Sequence, residues 1–342
     1  MTQVYDGDEA NESESSDVVA SRHRSLSLLM TTIGMDPQLL GKTLTKEAGN
    51  WLEILHERLH ALIPPGLLKL YRKKKIDMTK DDFELLASLH GLDSKGNRAK
   101  VLTNVLMPYR ARGSIVSFMR DVDHLITRPV QLGIGFAVPN DDALTKIQAF
   151  VGADGGSIVQ MGVGAGYWAG LLRHRGVQVL AYDLHPPPTT RLDVTRDDTN
   201  EVSNAFFDVA YTNDIQQGSC TSIFERNPQL AKDSALLLIW PNDPDPMDNR
   251  QFCGGGECQG SEPVWDVDCL QSYLQAGGQK VIYVGERESQ IRVRKNEADC
   301  GISSTRRFQQ LLSTHFSLVS TTKIPNWWLN EDDITLWERR II

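Results

Sequence analysis

The sequence predicts a mixed α/β protein built on a largely parallel sheet, and three observations support this prediction. After Gly133, short apolar runs alternate with segments of helical periodicity, which is the pattern of consecutive β-α units. One of these runs leads directly into a glycine-rich turn that opens a helix, as is typical of ligand-binding parallel sheets. Only a short connection separates the last two runs, so we expect them to pair antiparallel.

The composition is that of a folded globular chain. Of 342 residues, 40% are hydrophobic and 23% are charged, and 36 basic against 44 acidic residues give a formal net charge of −8. This acidic balance argues against broad binding of nucleic acid or of an anionic membrane. The longest apolar runs are far shorter than the roughly 20 residues of a membrane span, and the acidic N-terminus lacks a secretory signal. We therefore expect a cytoplasmic protein, with the nucleus as the alternative, and no membrane or nucleic-acid partner.

Three regions are expected along the chain. Residues 1–27 are rich in Asp, Glu and Ser, and we expect a disordered tail because they offer little apolar surface to bury. Residues 28–130 form a helical N-terminal region, indicated by an apolar periodicity that begins at Trp51 and by a capping-box pattern at Thr79. Residues 131–342 carry the β-α pattern and are expected to form the ligand-binding domain.

Within this domain, apolar runs bounded by Gly, Pro or Asp predict strands, and apolar residues at helical spacing predict the intervening helices. The predicted strands are Ile158–Met161, Gln178–Tyr182, Asp214–Gln217, Ala235–Trp240, Lys280–Val284, Phe316–Ile324 and Asp333–Glu338. The predicted helices are Tyr167–Arg175, Cys220–Asn227, Val267–Gln275 and Ser303–Thr314. Long loops are expected after the fourth and fifth strands, where functional residues are often found.

The cysteines do not form a recognisable framework. There are five, an odd number, with no C-x-x-C pair and no neighbouring histidine pair: Cys220, Cys253, Cys258, Cys269 and Cys300. The sequence therefore predicts free thiols and neither a disulfide framework nor a metal site.

The glycine-rich turn is the most informative segment. Gly162, Gly164 and Gly166 follow the first strand of the domain, and glycines let a ligand approach the backbone closely. Asp183 ends the next strand, about 20 positions later, where a carboxylate accepts both ribose hydroxyls of an adenosine group. The alternative, a tight turn that binds nothing, is disfavoured by an acidic residue in this register.

The glycine spacing distinguishes two classes of nucleotide ligand. Dinucleotide sites have the pattern G-x-G-x-x-G, whereas this chain has G-x-G-x-G followed by the bulky Tyr167. The spacing favours S-adenosylmethionine, and a nucleotide-dependent oxidoreductase is the less favoured alternative.

Several segments also resemble a known family. The runs 159–169 and 176–183 resemble the first two motifs of class I S-adenosylmethionine-dependent methyltransferases. More narrowly, they resemble a poorly characterised methyltransferase-like subgroup with Gly-Tyr-Trp and Trp-Pro motifs. The segment 136–139 also resembles this subgroup, and the resemblance spans roughly Leu132–Arg340. It implies a Rossmann-like sheet of seven strands that is mostly parallel with an antiparallel last strand. It also implies S-adenosylmethionine as the cofactor, while the substrate is unknown.

The expected cofactor-binding residues lie at the ends of the first three strands of the domain. They are Gln160, Gly162, Val163, Gly164, Gly166 and Tyr167 around the first turn, Asp183 and Leu184 after the second strand, and Gly218 and Ser219 after the third.

Gln160 departs from the family pattern. In the family this position is usually Glu or Asp, which helps to hold the methionine ammonium. Gln keeps a hydrogen-bond acceptor but contributes no charge, a loss of about 1 kcal/mol. The departure supports a second interpretation, in which the chain keeps the methyltransferase fold as a binding or scaffold protein without turnover.

The substrate side is expected at the end of the fourth strand. Trp240 and Pro241 are candidate substrate contacts, although Trp240 also fits a core position. Asn242, Asp243 and Glu286 are weak catalytic candidates, with a turn and a helix cap as their structural alternatives. No catalytic triad is required, because methyl transfer from a sulfonium is accelerated mainly by alignment of donor and acceptor.

Overall fold

The computed structural model describes residues 23–62, 126–152, 156–188, 207, 209–241, 265–287, 303–328 and 330–340. The helices are α1 (Trp51–His60), α2 (Arg128–Gly133), α3 (Asp141–Val151), α4 (Tyr167–His174), α5 (Cys220–Arg226), α6 (Pro228–Asp233), α7 (Trp265–Gln275) and α8 (Arg306–His315), and a 3-10 turn spans Pro37–Leu39. The strands are β1 (Ser157–Met161), β2 (Gln178–Asp183), β3 (Ile215–Gln217), β4 (Ser234–Ile239), β5 (Lys280–Gly285), β6 (Phe316–Lys323) and β7 (Asp333–Arg339).

The strands form one seven-stranded sheet in the order β3-β2-β1-β4-β5-β7-β6. All pairings among β1 to β5 are parallel, and β7 runs antiparallel to both of its neighbours, β5 and β6. The predicted fold class, a mostly parallel sheet with a reversed last strand, is therefore confirmed. The chain order reverses between β1 and β4, and parallel α/β sheets bind ligands at this position, outside the carboxyl ends of the strands.

The central strands are buried because helices cover the sheet. Strands β1 and β4 consist almost entirely of buried residues, as expected of parallel strands with both faces covered. On one face, Phe224 of α5, Tyr273 of α7 and Phe308 of α8 join Val159 and Leu236 in the core. This packing holds the carboxyl ends of β1 and β4 in fixed positions.

The strand predictions agree with the structure to within one residue at every boundary, whereas the helix predictions were less complete. Helices α3 and α6 were not predicted. The predicted helix at Ser303 begins three residues later, because the Thr305 side chain accepts a hydrogen bond from the backbone N–H of Phe308 and caps α8.

The prediction of free thiols was wrong for two cysteines. Cys220, the first residue of α5, and Cys269 of α7 form a disulfide with their Cα atoms 4.9 Å apart. Both are buried, and 49 residues separate them in sequence. Their pairing arises because α5 and α7 pack side by side on the same face of the sheet, which cysteine spacing does not reveal. Cys253, Cys258 and Cys300 lie outside the described residues.

The N-terminal part of the chain is described only in part. Residues 23–32 are helical and Leu26 is buried, so residues 23–27 do not belong to a disordered tail. The helix predicted from Trp51 is present as α1, whereas the capping box at Thr79 lies outside the described residues. The chain divides into two compact units, one of Met1–Lys42 with Glu57–Gly133 and the other of Thr43–His56 with Ile134–Ile342.

No helix in the described part of the chain has the length and apolar character needed to cross a membrane.

Candidate functional site

A cavity of about 650 Å³ opens at the carboxyl ends of the central strands in the second unit. The turn after β1 lies in the middle of its lining. Asp183 at the end of β2 and Gly218 after β3 lie on one side, and Trp240 after β4 lies on the other. The volume is in the range of small-molecule sites. The strand order therefore brings the predicted cofactor residues and the predicted substrate residues to one cavity.

The turn after β1 is tied to the end of β2. The backbone N–H of Gly164 donates to Oδ2 of Asp183 at 2.9 Å, and the N–H of Val163 donates to the carbonyl of Tyr182 at 3.1 Å. Gly164 has φ +55°, in the left-handed region that favours glycine. The ring of Phe207 also lies directly against its Cα, where a Cβ would clash. The turn is thus shaped by one carboxylate and one aromatic ring.

Asp183 is half-buried at the cavity and keeps capacity for further hydrogen bonds. Its Oδ1 accepts a hydrogen bond from the N–H of His185 at 3.0 Å, in addition to the bond from Gly164 to Oδ2. Burial raises the pKa of Asp183 above its ordinary value, and the hydrogen bonds from these two N–H groups act in the opposite direction. A carboxylate offers about four acceptor positions, so two hydroxyl donors can still bind here.

Gln160 places an unsatisfied acceptor at the same cavity. Its side chain is 2% exposed, and Oε1 has no hydrogen-bond partner among the described residues. A buried amide oxygen without a donor is costly. Because Gln160 lines the cavity beside the glycine turn, a ligand that donates a hydrogen bond here would remove that cost.

The two aromatic residues of the Gly-Tyr-Trp motif act as structural anchors. The hydroxyl of Tyr167 accepts a hydrogen bond from the N–H of Leu52 at 2.9 Å, and burial raises the pKa of Tyr167. The ring nitrogen of Trp168 donates to the carbonyl of Ala137 at 3.0 Å. The sequence assigned Tyr167 to the cofactor. Its hydroxyl is bound to Leu52, so only the rest of the residue is left to border the cavity.

Trp240 has a strained backbone conformation at the end of β4. It has φ +46°, which few residues other than glycine adopt, and such strain costs on the order of 1–3 kcal/mol. The backbone N–H of Trp240 donates to the carbonyl of Val284 at 3.0 Å. The Trp240 ring stacks on Phe136, with ring centroids 5.4 Å apart and an angle of 16° between the planes. Trp240 and Pro241 both line the cavity, on the β4 side that the sequence assigned to substrate.

The remaining expected cofactor residues also border the cavity. Leu184 exposes more than half of its surface, and Gly218 leads into Ser219, whose side chain caps α5 through the N–H of Ser222. The cavity lining therefore contains all ten expected cofactor residues: Gln160, Gly162, Val163, Gly164, Gly166, Tyr167, Asp183, Leu184, Gly218 and Ser219.

Of the three catalytic candidates, the structure describes only Glu286, and Glu286 does not line the cavity. Asn242 and Asp243 lie outside the described residues. Glu286 is buried, but it is not part of the cavity lining, and its Oε1 accepts a hydrogen bond from the N–H of Glu331 at 2.8 Å. The reason is the strand order, since β5 lies beyond β4 and pairs with β7. The structure thus places Glu286 in a network that holds the chain just before β7, not at the cavity.

Three aromatic residues of the site were missed by sequence reasoning. Phe136, Phe207 and Trp265 line the cavity. Only Phe136 had a signal, because the segment 136–139 is part of the family resemblance. Phe207 lies between the predicted second and third strands, outside every predicted element, and Trp265 stands just before the predicted start of α7.

Comparison with known proteins adds fold neighbours of low similarity. No family model matches the sequence. No curated protein matches it. Among solved structures, magnesium protoporphyrin IX methyltransferase from Synechocystis with bound S-adenosylhomocysteine is 11% identical, with 80% of this chain and 100% of that chain covered and a TM-score of 0.31. An N-methyltransferase from Bradyrhizobium japonicum is 9% identical, with 58% and 96% covered and a TM-score of 0.27. The fold assignment rests on the strand order and directions described above.

Proposed function

We propose that this protein is an S-adenosylmethionine-dependent methyltransferase. One observation carries the proposal. The glycine turn, the ribose-type acceptor Asp183 and the unsatisfied oxygen of Gln160 border a single cavity at the switch point of the sheet. This combination fits an adenosine group joined to an amino acid, because it offers acceptors for ribose hydroxyls and for an ammonium group.

The residues present fit the cofactor. Asp183 would accept the ribose hydroxyls, the backbone from Gly162 to Gly166 would border the methionine portion, and Oε1 of Gln160 would accept from its ammonium. When bound, S-adenosylmethionine supplies a methyl group already activated by its sulfonium. The residues of the chain then orient the donor, exclude water with the buried rings of Phe136 and Trp240, and hold the acceptor in line.

A second candidate function rests on Gln160. Without a charged acceptor at this position, the chain would bind the cofactor more weakly, and a binding or scaffold protein without turnover would tolerate this. The expected cytoplasmic localisation and the absence of a membrane or nucleic-acid partner remain predictions from the sequence.

The proposal is tested by calorimetric titration of the full chain with S-adenosylhomocysteine and with NAD. We expect S-adenosylhomocysteine to bind and NAD not to bind. In Asp183→Ala, the loss of a half-buried charged acceptor is expected to weaken S-adenosylhomocysteine by about 30-fold, or about 2 kcal/mol. Asp233→Ala, which removes an exposed carboxylate at the end of α6, is the matched control and should bind as the wild type does.

Two results would contradict the proposal. Binding of NAD in place of S-adenosylhomocysteine would favour the oxidoreductase. Unchanged affinity in a folded Asp183→Ala variant would place the ligand elsewhere.

A further inference from the structure

Four aromatic side chains line the cavity and are here together named the aromatic wall: Phe136, Phe207, Trp240 and Trp265. Phe136 is its centre, stacked on Trp240 and in edge contact with Phe207 at 6.0 Å between centroids. Trp265 is 38% exposed, and a Cβ at Gly162 would lie 2.7 Å from its ring. The wall thus presents buried ring surface on the β4 side and accessible ring surface beside the glycine turn.

The position of Phe136 is held by two other tryptophans. The ring nitrogen of Trp327 donates to the carbonyl of Phe136 at 3.2 Å, and that of Trp168 donates to the next carbonyl, of Ala137. Both donors are buried. A ring fixed in this way loses little freedom when a ligand stacks on it, which favours binding.

The strand order separates this wall from the ribose position. Asp183 ends β2, on one side of β1, and Trp240 follows β4, on the other side. Adjacent strands lie about 4.8 Å apart, so the two positions are on the order of 10 Å apart along the sheet edge. With the adenosine group at Asp183, the part of the cavity at Phe136 and Trp240 remains for the acceptor.

The charge of the lining restricts the acceptor further. Among the residues that the structure describes along the cavity, the carboxylates are Asp183 and Asp268, and there is no Lys or Arg. A carboxylate or phosphate on the acceptor would thus meet no Lys or Arg among these described residues, where His185 is the basic side chain and lies with Asp183 on the ribose side. Desolvating such an anion without a counter-charge is strongly unfavourable.

We infer that the methyl acceptor is a flat aromatic compound without an acidic group, such as a ring bearing a hydroxyl or an amine. This inference rests on the proposed function. An acceptor oxygen or nitrogen forms a bond to the methyl carbon as the carbon–sulfur bond breaks, and the electron pair of that bond stays on sulfur. The proton of the acceptor group leaves to water, so charge and atoms balance.

The test measures binding of three probes of equal skeleton to the full chain saturated with S-adenosylhomocysteine. 2-Naphthol is flat and uncharged, 2-decalol is its puckered saturated analogue, and 2-naphthoate is flat and anionic. We expect 2-naphthol to bind at least tenfold more tightly than either of the other two, because stacking requires a flat ring and the lining repels an anion.

Matched variants locate the probe. Phe136→Leu is expected to weaken 2-naphthol about fivefold to tenfold while leaving S-adenosylhomocysteine within twofold. Phe150→Leu, the same change outside the cavity lining, should alter neither. If Phe136→Leu fails to fold, Trp265→Leu replaces a partly exposed side chain and should also weaken 2-naphthol.

The outcomes are distinguishable. If S-adenosylhomocysteine binds but 2-decalol or 2-naphthoate binds as tightly as 2-naphthol, the inference is overturned and the proposed function stands. The same holds if no wall variant affects 2-naphthol. If S-adenosylhomocysteine itself does not bind, the proposed function fails and the inference fails with it.

Discussion

Gln160 is the residue on which the distinction between enzyme and binding protein depends. Its oxygen is buried and lacks a partner in the described structure, which is unfavourable unless a ligand supplies a donor. Asp183, across the turn, already uses both carboxylate oxygens to hold backbone N–H groups. The two residues thus have different roles. Asp183 shapes the turn and can still accept from a ligand, whereas the oxygen of Gln160 has a ligand as its only use in the described structure.

Substitution Gln160→Glu tests this role. An ionised carboxylate is expected to tighten S-adenosylmethionine by roughly threefold to tenfold, or about 0.7–1.4 kcal/mol, because the contact with the ammonium becomes charge-assisted. The free variant should unfold at a lower temperature than the wild type, because the added charge is buried without a partner. Calorimetric titration and thermal unfolding measure the two effects.

Gln178→Glu is the control, because it makes the same change at the exposed start of β2. It should change neither affinity nor melting temperature appreciably. If Gln160→Glu binds S-adenosylmethionine no more tightly than the wild type, Gln160 does not face the ammonium.

At the scale of elements, the turn between β1 and α4 is held on two sides. Asp183 binds the backbone of Gly164, and the ring of Phe207 occupies the space where a side chain would begin. The requirement for glycine therefore has two parts, the left-handed backbone and the close aromatic ring. Gly49, in the same unit, allows the two parts to be measured separately. It has a left-handed backbone, with φ +59°, but open space where a side chain would begin.

We therefore expect Gly164→Ala to destabilise the protein more than Gly49→Ala. Both variants bear the cost of a left-handed alanine, about 1 kcal/mol, but only Gly164→Ala must also displace Phe207. The difference in the free energy of unfolding, measured with urea, should be at least 1 kcal/mol, with weaker S-adenosylhomocysteine binding in Gly164→Ala alone. Equal destabilisation in the two variants would show that Phe207 moves away freely.

The sequence predicted the parts of this site that depend on local pattern. The strands, the glycine turn and Asp183 were placed correctly, because apolar runs and turn chemistry are local properties. The disulfide between Cys220 and Cys269, the hydrogen bond from Leu52 to Tyr167 and the position of Phe207 were not predicted. Each depends on which distant segments meet, and one sequence carries no direct signal of that.

At the scale of the whole molecule, the reversed strand β7 explains why Glu286 does not line the cavity. Because β7 pairs with β5, the chain that precedes it reaches the end of β5 and binds Glu286 there. The carboxyl ends of β1, β2 and β4 remain open at the cavity. The same topology places α7 and α8 together, where Asp266 accepts hydrogen bonds from both the N–H and the hydroxyl of Thr305.

Asp266 gives the stability of the molecule a specific dependence on pH. Burial raises its pKa to about 6 from an ordinary value of 3.8, although three hydrogen bonds oppose the shift. Because the folded pKa lies above the unfolded one, the folded state binds more protons between these values, and stability decreases as pH rises from about 4 to about 6. Relative to Asp266→Asn, the free energy of unfolding should fall by on the order of 3 kcal/mol over this range and stay constant above pH 7. Urea unfolding at several pH values measures the difference, and a flat or rising difference would contradict the assignment.

The most direct test of the central claim is a crystal structure of the full chain with S-adenosylhomocysteine. We predict the ribose hydroxyls at the carboxylate of Asp183, the ammonium within hydrogen-bond distance of Oε1 of Gln160, and the sulfur on the β1 side nearest Trp240. A ligand bound away from the carboxyl ends of β1 and β2, or an empty cavity in crystals held at millimolar ligand, would contradict the account.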